Sequence, residues 1–337
     1  AGTNRITVTS NASWSASCSD PALVFAPASG TGDGTITVTA APEGVRCTLT
    51  VTAGEGPGAK TQSVEILYTA YRFPELASNW VQPSKDAAAV SGDYAFYTHW
   101  TTTVSSRKTV RNYSYCYDTR RHNPIWVAYP MHESYTKGTA DGQNKDWRFD
   151  PIIPSFVQPD LSSSYKPSDS FSRGHMLASN DRQSDRATNR QTFYYTNMSP
   201  QIQTGFNGGI WATFEQKCHN MICSDTLYMV TGAYFANENT TCLDNANPQN
   251  KVIVPTHFYK VLIRSKSGNT GKPLWELPAD QIECAGYWFE HKAYSGASPS
   301  QFIKSVAWIE EQTKQSFFTN VPNAPKEKLD VAFWNKI

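Results

Sequence analysis

The chain has 337 residues, of which 39% are hydrophobic and 13% aromatic, so it can bury a sizeable core and is not an intrinsically disordered polypeptide. Its length accommodates two domains or one large domain. The formal net charge of +1 does not by itself indicate a polyanionic partner. No run of about 18 apolar residues occurs in the sequence, which excludes a membrane-spanning helix.

The first 70 residues predict an all-β domain. Apolar or β-branched residues alternate with polar ones in four short segments, separated by glycine-rich turns such as Ser29–Gly34. No helical periodicity is present, so the pattern predicts a small β-sandwich over residues 1–70. The four predicted strands are Arg5–Thr9, Thr35–Ala40, Thr48–Thr52 and Ser63–Tyr68.

The segment Asn11–Ser15, which contains Trp14, together with the turn Ser29–Gly34 resembles the BACON module, an immunoglobulin-like domain of secreted bacterial proteins. The resemblance implies either a spacer or a module that binds a glycan or another surface partner. We expect Trp14 in the core, because the segment carries no array of aromatic residues on which a sugar could stack. The spacer role is therefore favoured.

A second domain is predicted over residues 91–337, after a linker at residues 71–90. Its predicted strands outnumber its helices and do not alternate with them regularly, which indicates an α+β fold with a mainly antiparallel central sheet. Residues 132–170 are rich in polar residues and are predicted to be loop. The predicted strands are Arg111–Asp118 and Ile125–Met131, which form a hairpin, then Thr192–Asn197, Thr226–Tyr234 and Val252–Ile263; the predicted helices are Phe206–Gln216 and Ser298–Gln312.

Seven cysteines are present, and the odd number leaves at least one of them unpaired within the chain. No Cys-x-x-Cys pair occurs, which argues against a zinc cage. The candidate disulfides are Cys18–Cys47, Cys218–Cys223 and Cys242–Cys284, while Cys116 is expected to be a buried thiol; seven reduced core cysteines are the alternative. If disulfides form, the protein works in an oxidising compartment, namely the periplasm, the bacterial cell surface or the outside of the cell.

The candidate for acid–base chemistry is His175, which follows Ser172, Arg173 and Gly174. Its imidazole can deprotonate water near neutral pH. On an extended segment Arg173 and His175 share one face, and the cation would keep the imidazole neutral, as a general base requires. Gly174 permits a close backbone approach. The other histidines have no such motif and are expected to be structural: His99, His122, His132, His219, His257 and His291.

Asn207, Trp211 and Glu215 are spaced by four residues and therefore lie on one side of a predicted helix. The oxygen of Asn207 suits a hard cation such as Mg²⁺, which keeps most of its water ligands. Glu215 would act from a second layer around the ion or orient a neighbour. We expect Trp211 to anchor the helix in the core. Periodicity alone favours an ordinary amphipathic helix.

Four arginines lie within 18 residues around the histidine: Arg173, Arg182, Arg186 and Arg190. Asp181 and Asp185 are interspersed among them, so charge alone favours a solvated surface. The neighbouring motif shifts the interpretation toward phosphate contacts, with Arg182, Arg186 and Arg190 as candidate substrate-binding residues.

Taken together, Ser172–His175, Asn197–Gln201, Asn207, Trp211 and Glu215 resemble the DNA/RNA non-specific endonuclease family of ββα-metal nucleases. This central part of the resemblance is the most specific; it extends over about residues 90–325. The resemblance implies a metal-dependent, sequence-non-specific endonuclease that hydrolyses DNA and RNA to 5′-phosphate and 3′-hydroxyl ends. Its cofactor would be Mg²⁺, with Mn²⁺ and Ca²⁺ as alternatives.

The resemblance also implies residue roles. His175 would be the general base and Asn207 the sole direct protein ligand of the metal. Glu215 would act from the second layer, Arg173 would stabilise charge on the phosphate, and Asn197 would support the site. The family motif begins with aspartate where this chain has Ser172, and Asp181 or a loop carboxylate is a candidate to take over its hydrogen bonds. The alternative function is a surface adhesion or glycan-binding protein with an inactivated nuclease fold.

Overall fold

A computed structural model describes residues 4–21, 23–40, 45–68, 89–91, 93–102, 109–138, 140, 146–167, 170–245 and 250–336. No helix within these ranges is both long and apolar enough to cross a membrane. Most of the predicted linker at residues 71–90 lies outside the described residues, and its last two residues belong to a strand.

The N-terminal part consists of two antiparallel sheets, as predicted for an all-β domain. One sheet has the strand order β1-β5-β3 and the other β4-β2-β6-β7. Trp14, Ile36 and Leu49 are buried between them, so Trp14 is a core residue as expected. The strands are β1 (Asn4–Val8), β2 (Ser13–Cys18), β3 (Val24–Ala26), β4 (Ser29–Thr31), β5 (Gly34–Ala40), β6 (Val45–Ala53) and β7 (Lys60–Tyr68).

The second part is built on an eight-stranded sheet with the order β19-β18-β17-β14-β11-β10-β9-β8. Every strand pair in it is antiparallel, which confirms the predicted α+β class with an antiparallel central sheet. Its strands are β8 (Ala89–Ser91), β9 (Tyr94–Thr102), β10 (Thr109–Asp118), β11 (Asn123–Met131), β14 (Leu227–Tyr234), β17 (His257–Ser265), β18 (Ile282–Glu290) and β19 (Ile303–Lys304). Two smaller ribbons pair β12 (Phe171–His175) with β13 (Met198–Ile202) and β15 (Thr241–Leu243) with β16 (Lys251–Ile253).

The helices are short and cover the two faces of the large sheet. A π-helical segment, Gln203–Trp211, precedes α3 (Ala212–Asn220), and non-helical backbone at Gly209 interrupts the predicted helix Phe206–Gln216. The others are α1 (Glu133–Thr136), α2 (Arg186–Gln191), α4 (Val306–Thr313) and α5 (Val331–Lys336), with 3₁₀ turns at Gly56–Gly58, Ser155–Val157, Ser179–Asp181, Tyr195–Asn197, Leu274–Glu276, Ala279–Gln281 and Pro299–Phe302.

Further predicted elements were wrong. The strand predicted at Val252–Ile263 is two strands of different sheets, β16 and β17. The segment predicted as the helix Ser298–Gln312 is helical only from Val306, because Ser305 caps α4 by accepting a hydrogen bond from Trp308 N, and a 3₁₀ turn and the short strand β19 precede it. The strand predicted at Thr192–Asn197 is a turn, and the strand β13 begins only at Met198. At Ser298–Gln312 and Thr192–Asn197 local hydrogen bonds override the apolar pattern.

The side chains of the sheet alternate between two cores. On β17, Phe258 and Leu262 face the core covered by α3, while Val261 and Ile263 face the core covered by α4. The α3 core also contains Trp211, which is fully buried as expected. Ile202 of β13 packs against the same core, so the ribbon β12–β13 and helix α3 lie on the same side of the sheet.

The expected disulfides are not present among the cysteine side chains that the structure describes. Cys18, Cys116, Cys218, Cys223, Cys242 and Cys284 are all free thiols, and Cys116 is buried as predicted. The pairs Cys218–Cys223 and Cys242–Cys284 were therefore wrong, and Cys18 is unpaired; the side chain of Cys47 lies outside the described part. The oxidising compartment inferred from these pairs loses its basis.

Candidate active site

The site begins at the ribbon in which β12 pairs with β13. Gly174 lies opposite Ser199, and His175 lies opposite Met198. A Cβ atom at Gly174 would come within 2.3 Å of the Gln201 side chain, so glycine is required here by a close approach. The ribbon thus packs a large buried side chain against the backbone that immediately precedes the candidate base.

His175 occupies an aromatic pocket at the end of β12. Its ring centroid lies 5.3 Å from the ring centroids of both Trp147 and Phe193. Its Nε2 atom is buried and has no hydrogen-bond partner among the described residues. Burial, with the Arg173 cation as the second cause, lowers the pKa of His175 to about 4. The imidazole is therefore neutral in the free protein at neutral pH, as predicted from the sequence.

Arg173 lies on the same side of β12 as His175. Its guanidinium carbon is 3.9 Å from the centroid of the Trp147 ring, and its Nη1 donates hydrogen bonds to the carbonyl oxygens of Leu161 (2.8 Å) and Ser162 (3.1 Å). These contacts fix one edge and one face of the guanidinium. Sequence reasoning missed Trp147, because it lies in the polar stretch that was predicted to be loop.

Asn197 is fully buried and ties the chain after His175 to the ribbon. Its Oδ1 accepts a hydrogen bond from Leu177 N (2.9 Å), and its Nδ2 donates to the carbonyl oxygens of Leu177 (2.9 Å) and Thr192 (2.8 Å). The Asn197 carbonyl also accepts a hydrogen bond from Met176 N (2.9 Å). Asn197 thus holds both residues that follow the candidate base, and it has no surface of its own for substrate.

Asn207 is half-buried on the π-helical segment that follows β13. Its Nδ2 donates to Ser172 Oγ (2.9 Å) and to Gln203 Oε1 (3.2 Å), and Ser172 Oγ in turn donates to the Gln201 carbonyl (3.1 Å). Both amide protons are therefore used, which fixes the orientation of the side chain and leaves the Oδ1 lone pairs as its free donor atoms for a cation. Ser172 stands where the family motif has aspartate. Its hydroxyl, rather than the carboxylate of Asp181, accepts the hydrogen bond from Asn207.

Asp181 lies in a different environment, within 3.1 Å of His219 Nδ1. It does not take over the hydrogen bonds of Ser172. A cluster of three or more His, Cys, Asp or Glu side chains that could hold a metal ion is also absent from the described ranges. A cation at this site would depend on the amide oxygen of Asn207 and on water, a donor set that suits a hydrated hard cation.

Glu215 lies eight residues after Asn207, half-buried on α3. Burial raises the pKa of Glu215 to about 7, although the nearby Lys260 cation opposes this shift. Its Oε1 atom is buried without a hydrogen-bond partner in the described structure. Glu215 therefore holds a proton more readily than an exposed glutamate does.

The three candidate substrate-binding arginines differ sharply in solvent exposure. Arg182 is fully buried, and it donates to both Oδ1 and the carbonyl of Asn112 and to the carbonyls of Pro130 and Asp181. It therefore cannot reach a polynucleotide, and we correct its assignment to a structural role. Arg186 is exposed, and Arg190 is exposed with its guanidinium 2.9 Å from Asp146.

An antiparallel ribbon that carries a histidine, followed by a helical segment that carries an asparagine, is the arrangement of the ββα-metal nucleases. The chain belongs to the DNA/RNA non-specific endonuclease family, whose family model matches residues 91–324. Nucleases of this class are metal-dependent. The family match does not include the N-terminal sandwich. It therefore does not test the resemblance of that sandwich to the BACON module.

Curated relatives agree with this membership. The chain is 28% identical to Nuclease 1, mitochondrial, of Schizosaccharomyces pombe over 67% of this chain and 70% of that protein. It is 28% identical to human Endonuclease G, mitochondrial, over 65% of this chain and 71% of that protein. Nuclease C1 of Cunninghamella echinulata is 32% identical over 47% of this chain and 65% of that protein.

A solved structure has the same fold. The crystal structure of the EndoG/EndoGI complex contains a chain that superposes with a TM-score of 0.50 at 22% identity, over 70% of this chain and 87% of that one. The predicted location in the periplasm, at the bacterial surface or outside the cell was wrong, because several of the relatives are mitochondrial nucleases.

Proposed function

We propose that this protein is an endonuclease that hydrolyses phosphodiester bonds of DNA and RNA without sequence specificity, leaving 5′-phosphate and 3′-hydroxyl ends. The observation that carries the proposal is the hydrogen bond between Asn207 and Ser172, which ties the candidate metal ligand to the strand that carries Arg173 and His175. Family membership supports the same reaction. The names of the relatives, all of them nucleases, are consistent with it.

Asn207 would hold the metal ion through Oδ1, and we propose Mg²⁺, with Mn²⁺ and Ca²⁺ as alternatives. The fit rests on the fixed amide, whose two protons are engaged by Ser172 and Gln203. A single neutral oxygen ligand suits an ion that retains most of its water. When bound, the ion would neutralise charge on the scissile phosphate and on the leaving oxygen.

His175 would accept the proton of the attacking water. Its low pKa in the free protein keeps it unprotonated, and the negative charge of a bound phosphodiester beside the ring would raise the pKa toward the working pH. Asn197 would keep the base in place through its hydrogen bonds to Leu177.

Arg173 would stabilise the charge that grows on the phosphate in the transition state. Its Nη1 and one ring face are already occupied by Leu161, Ser162 and Trp147, so the rest of the guanidinium is presented in a fixed orientation. Glu215 would orient water near the ion. Arg186 and Arg190 remain candidates for contacts with the phosphates of the flanking polynucleotide, contacts that carry no base specificity.

The domain organisation is also proposed: a BACON-like sandwich at residues 1–70, a linker at 71–90 and the nuclease domain at 91–337. The two-sheet architecture with Trp14 between the sheets supports the first domain. The spacer role stays the preferred proposal for this sandwich, because Trp14 lies in its core and is not available to stack on a sugar.

The decisive experiment is a nicking assay on supercoiled plasmid, with a parallel assay on RNA, in Mg²⁺ and in EDTA. We expect cleavage in Mg²⁺ that EDTA abolishes, and none from His175→Ala although that variant still folds and binds DNA. Asn207→Ala should need more metal for its half-maximal rate. Full activity of His175→Ala would overturn the assignment of the base. An inert wild-type protein would instead support the alternative of an inactivated nuclease fold.

A further inference from the structure

Lys260 is a cation in the middle of an apolar layer. It lies on β17 between Phe258 and Leu262, on the side of the sheet that is covered by α3, and it is 1% exposed. Burying an ammonium group away from water costs roughly several kcal/mol unless nearby groups compensate its charge. The groups that surround Lys260 therefore show which interactions its charge makes.

The ammonium group is held from the sheet and from the helix. Its Nζ donates to Thr231 Oγ1 (2.8 Å), which is directly opposite on β14, and to Tyr129 OH (3.2 Å) on β11. From the helix side, the ring of Trp211 covers it with its centroid 4.8 Å from Nζ. Neither Thr231 nor Tyr129 is negatively charged, so these contacts orient the ammonium without neutralising it.

Glu215, which lies one helical turn after Trp211, is the acidic side chain that interacts electrostatically with Lys260. Lys260 lowers the pKa of the Glu215 carboxyl, and Glu215 is among the groups that raise the pKa of Lys260. Two other ionisable groups interact with this pair. Asp181, which is paired with His219, opposes ionisation of Glu215, and the buried thiol of Cys218 on α3 interacts with both partners.

We propose that Lys260 is a positioning residue of the nuclease site: its ammonium group packs on the Trp211 ring from the sheet side and thereby positions the turn of α3 that carries Glu215. This inference rests on the proposed nuclease function. Lys260 itself contacts neither metal nor substrate in this scheme and acts only through α3. This role accounts for a charged residue at a position where packing alone does not require one, since a methionine would fill the same volume.

The test is the pH dependence of kcat/KM for plasmid cleavage, measured for wild type, Lys260→Met and Thr231→Val. In wild type we expect an acid limb with its midpoint near pH 7, set by Glu215. Lys260→Met should move that midpoint upward by about one pH unit and lower kcat/KM about tenfold below it, because each unit of pKa changes the ionised fraction tenfold. Thr231→Val, which removes a hydrogen bond but no charge, should leave the midpoint where it is.

A double-mutant cycle separates this role from a structural one. In a Glu215→Gln background, Lys260→Met should leave the pH profile unchanged, and the shifts in urea midpoint caused by the two substitutions should be non-additive. If Lys260→Met does not fold, Lys260→Gln carries the same test, because it keeps a donor for Thr231 and Tyr129 without the charge.

The outcomes are distinguishable from failure of the proposed function. A wild-type protein that does not cleave in Mg²⁺ would remove the nuclease assignment itself. An active wild type whose pH midpoint is the same in Lys260→Met, or whose midpoint moves equally in Thr231→Val, would overturn the role of Lys260 alone.

Discussion

Ser172 offers the sharpest test of how the metal ligand is oriented. In Ser172→Ala the Asn207 amide loses its 2.9 Å hydrogen bond to Ser172 Oγ, and the 3.2 Å bond to Gln203 remains. A neutral hydrogen bond contributes about 0.5–1.5 kcal/mol. If this hydrogen bond holds Oδ1 in the orientation that binds the ion, its loss weakens metal binding by a factor of about 2 to 12, since roughly 1.4 kcal/mol corresponds to tenfold.

The assay is a Mg²⁺ titration of plasmid nicking at saturating DNA, which gives the metal concentration for the half-maximal rate. Ser172→Ala should raise that concentration by the stated factor and leave the maximal rate within about twofold of wild type, because His175 and Arg173 are untouched. Ser63→Ala, which removes an exposed hydrogen bond to Thr50 in the N-terminal sandwich, is the matched control. An unchanged titration in Ser172→Ala would refute the claim that this serine positions the ligand.

Three further predictions follow from the same contacts. Arg182→Met should destabilise the protein by about 3 kcal/mol or more in urea denaturation, because it leaves several buried acceptors unpaired, while the exposed Arg186→Met should change stability by less than about 0.5 kcal/mol; equal effects would contradict the structural role of Arg182. Trp147→Leu should lower kcat more than it raises KM, because it frees the guanidinium of Arg173; a pure KM effect would point to substrate contact instead. In Glu215→Gln the acid limb of kcat/KM should lie near pH 4, where the neutral His175 becomes protonated as pH falls; a limb that stays near pH 7 would rule out Glu215 as its origin.

The sequence predicted those parts of the site that depend on local spacing. Arg173 and His175 share a face because residues two apart do so on any strand, and both contact Trp147 as a result. The spacing of four places Trp211 and Glu215 one helical turn apart, whereas non-helical backbone at Gly209 separates Asn207 from that regular spacing. The antiparallel sheet was likewise predictable, since strands that do not alternate with helices have no crossover by which to pair in parallel.

What the sequence could not supply was the pairing of distant segments. Trp147 reaches His175 only because Arg148 bonds to the backbone of Phe193 and Tyr195, and this pairing leaves no local signature. Arg182 looked like a surface arginine because its acceptors on Asn112 and Pro130 are distant in the chain.

Lys260 did carry a signal: a charged residue at an inward position of an apolar strand. Its partners, however, lie on two other strands and on α3, so only the folded molecule shows which charge it faces. Backbone periodicity fixes which side chains of one element share a face, because that depends on a few residues. The composition of the site depends on long-range packing, which places side chains from separate elements around one buried volume.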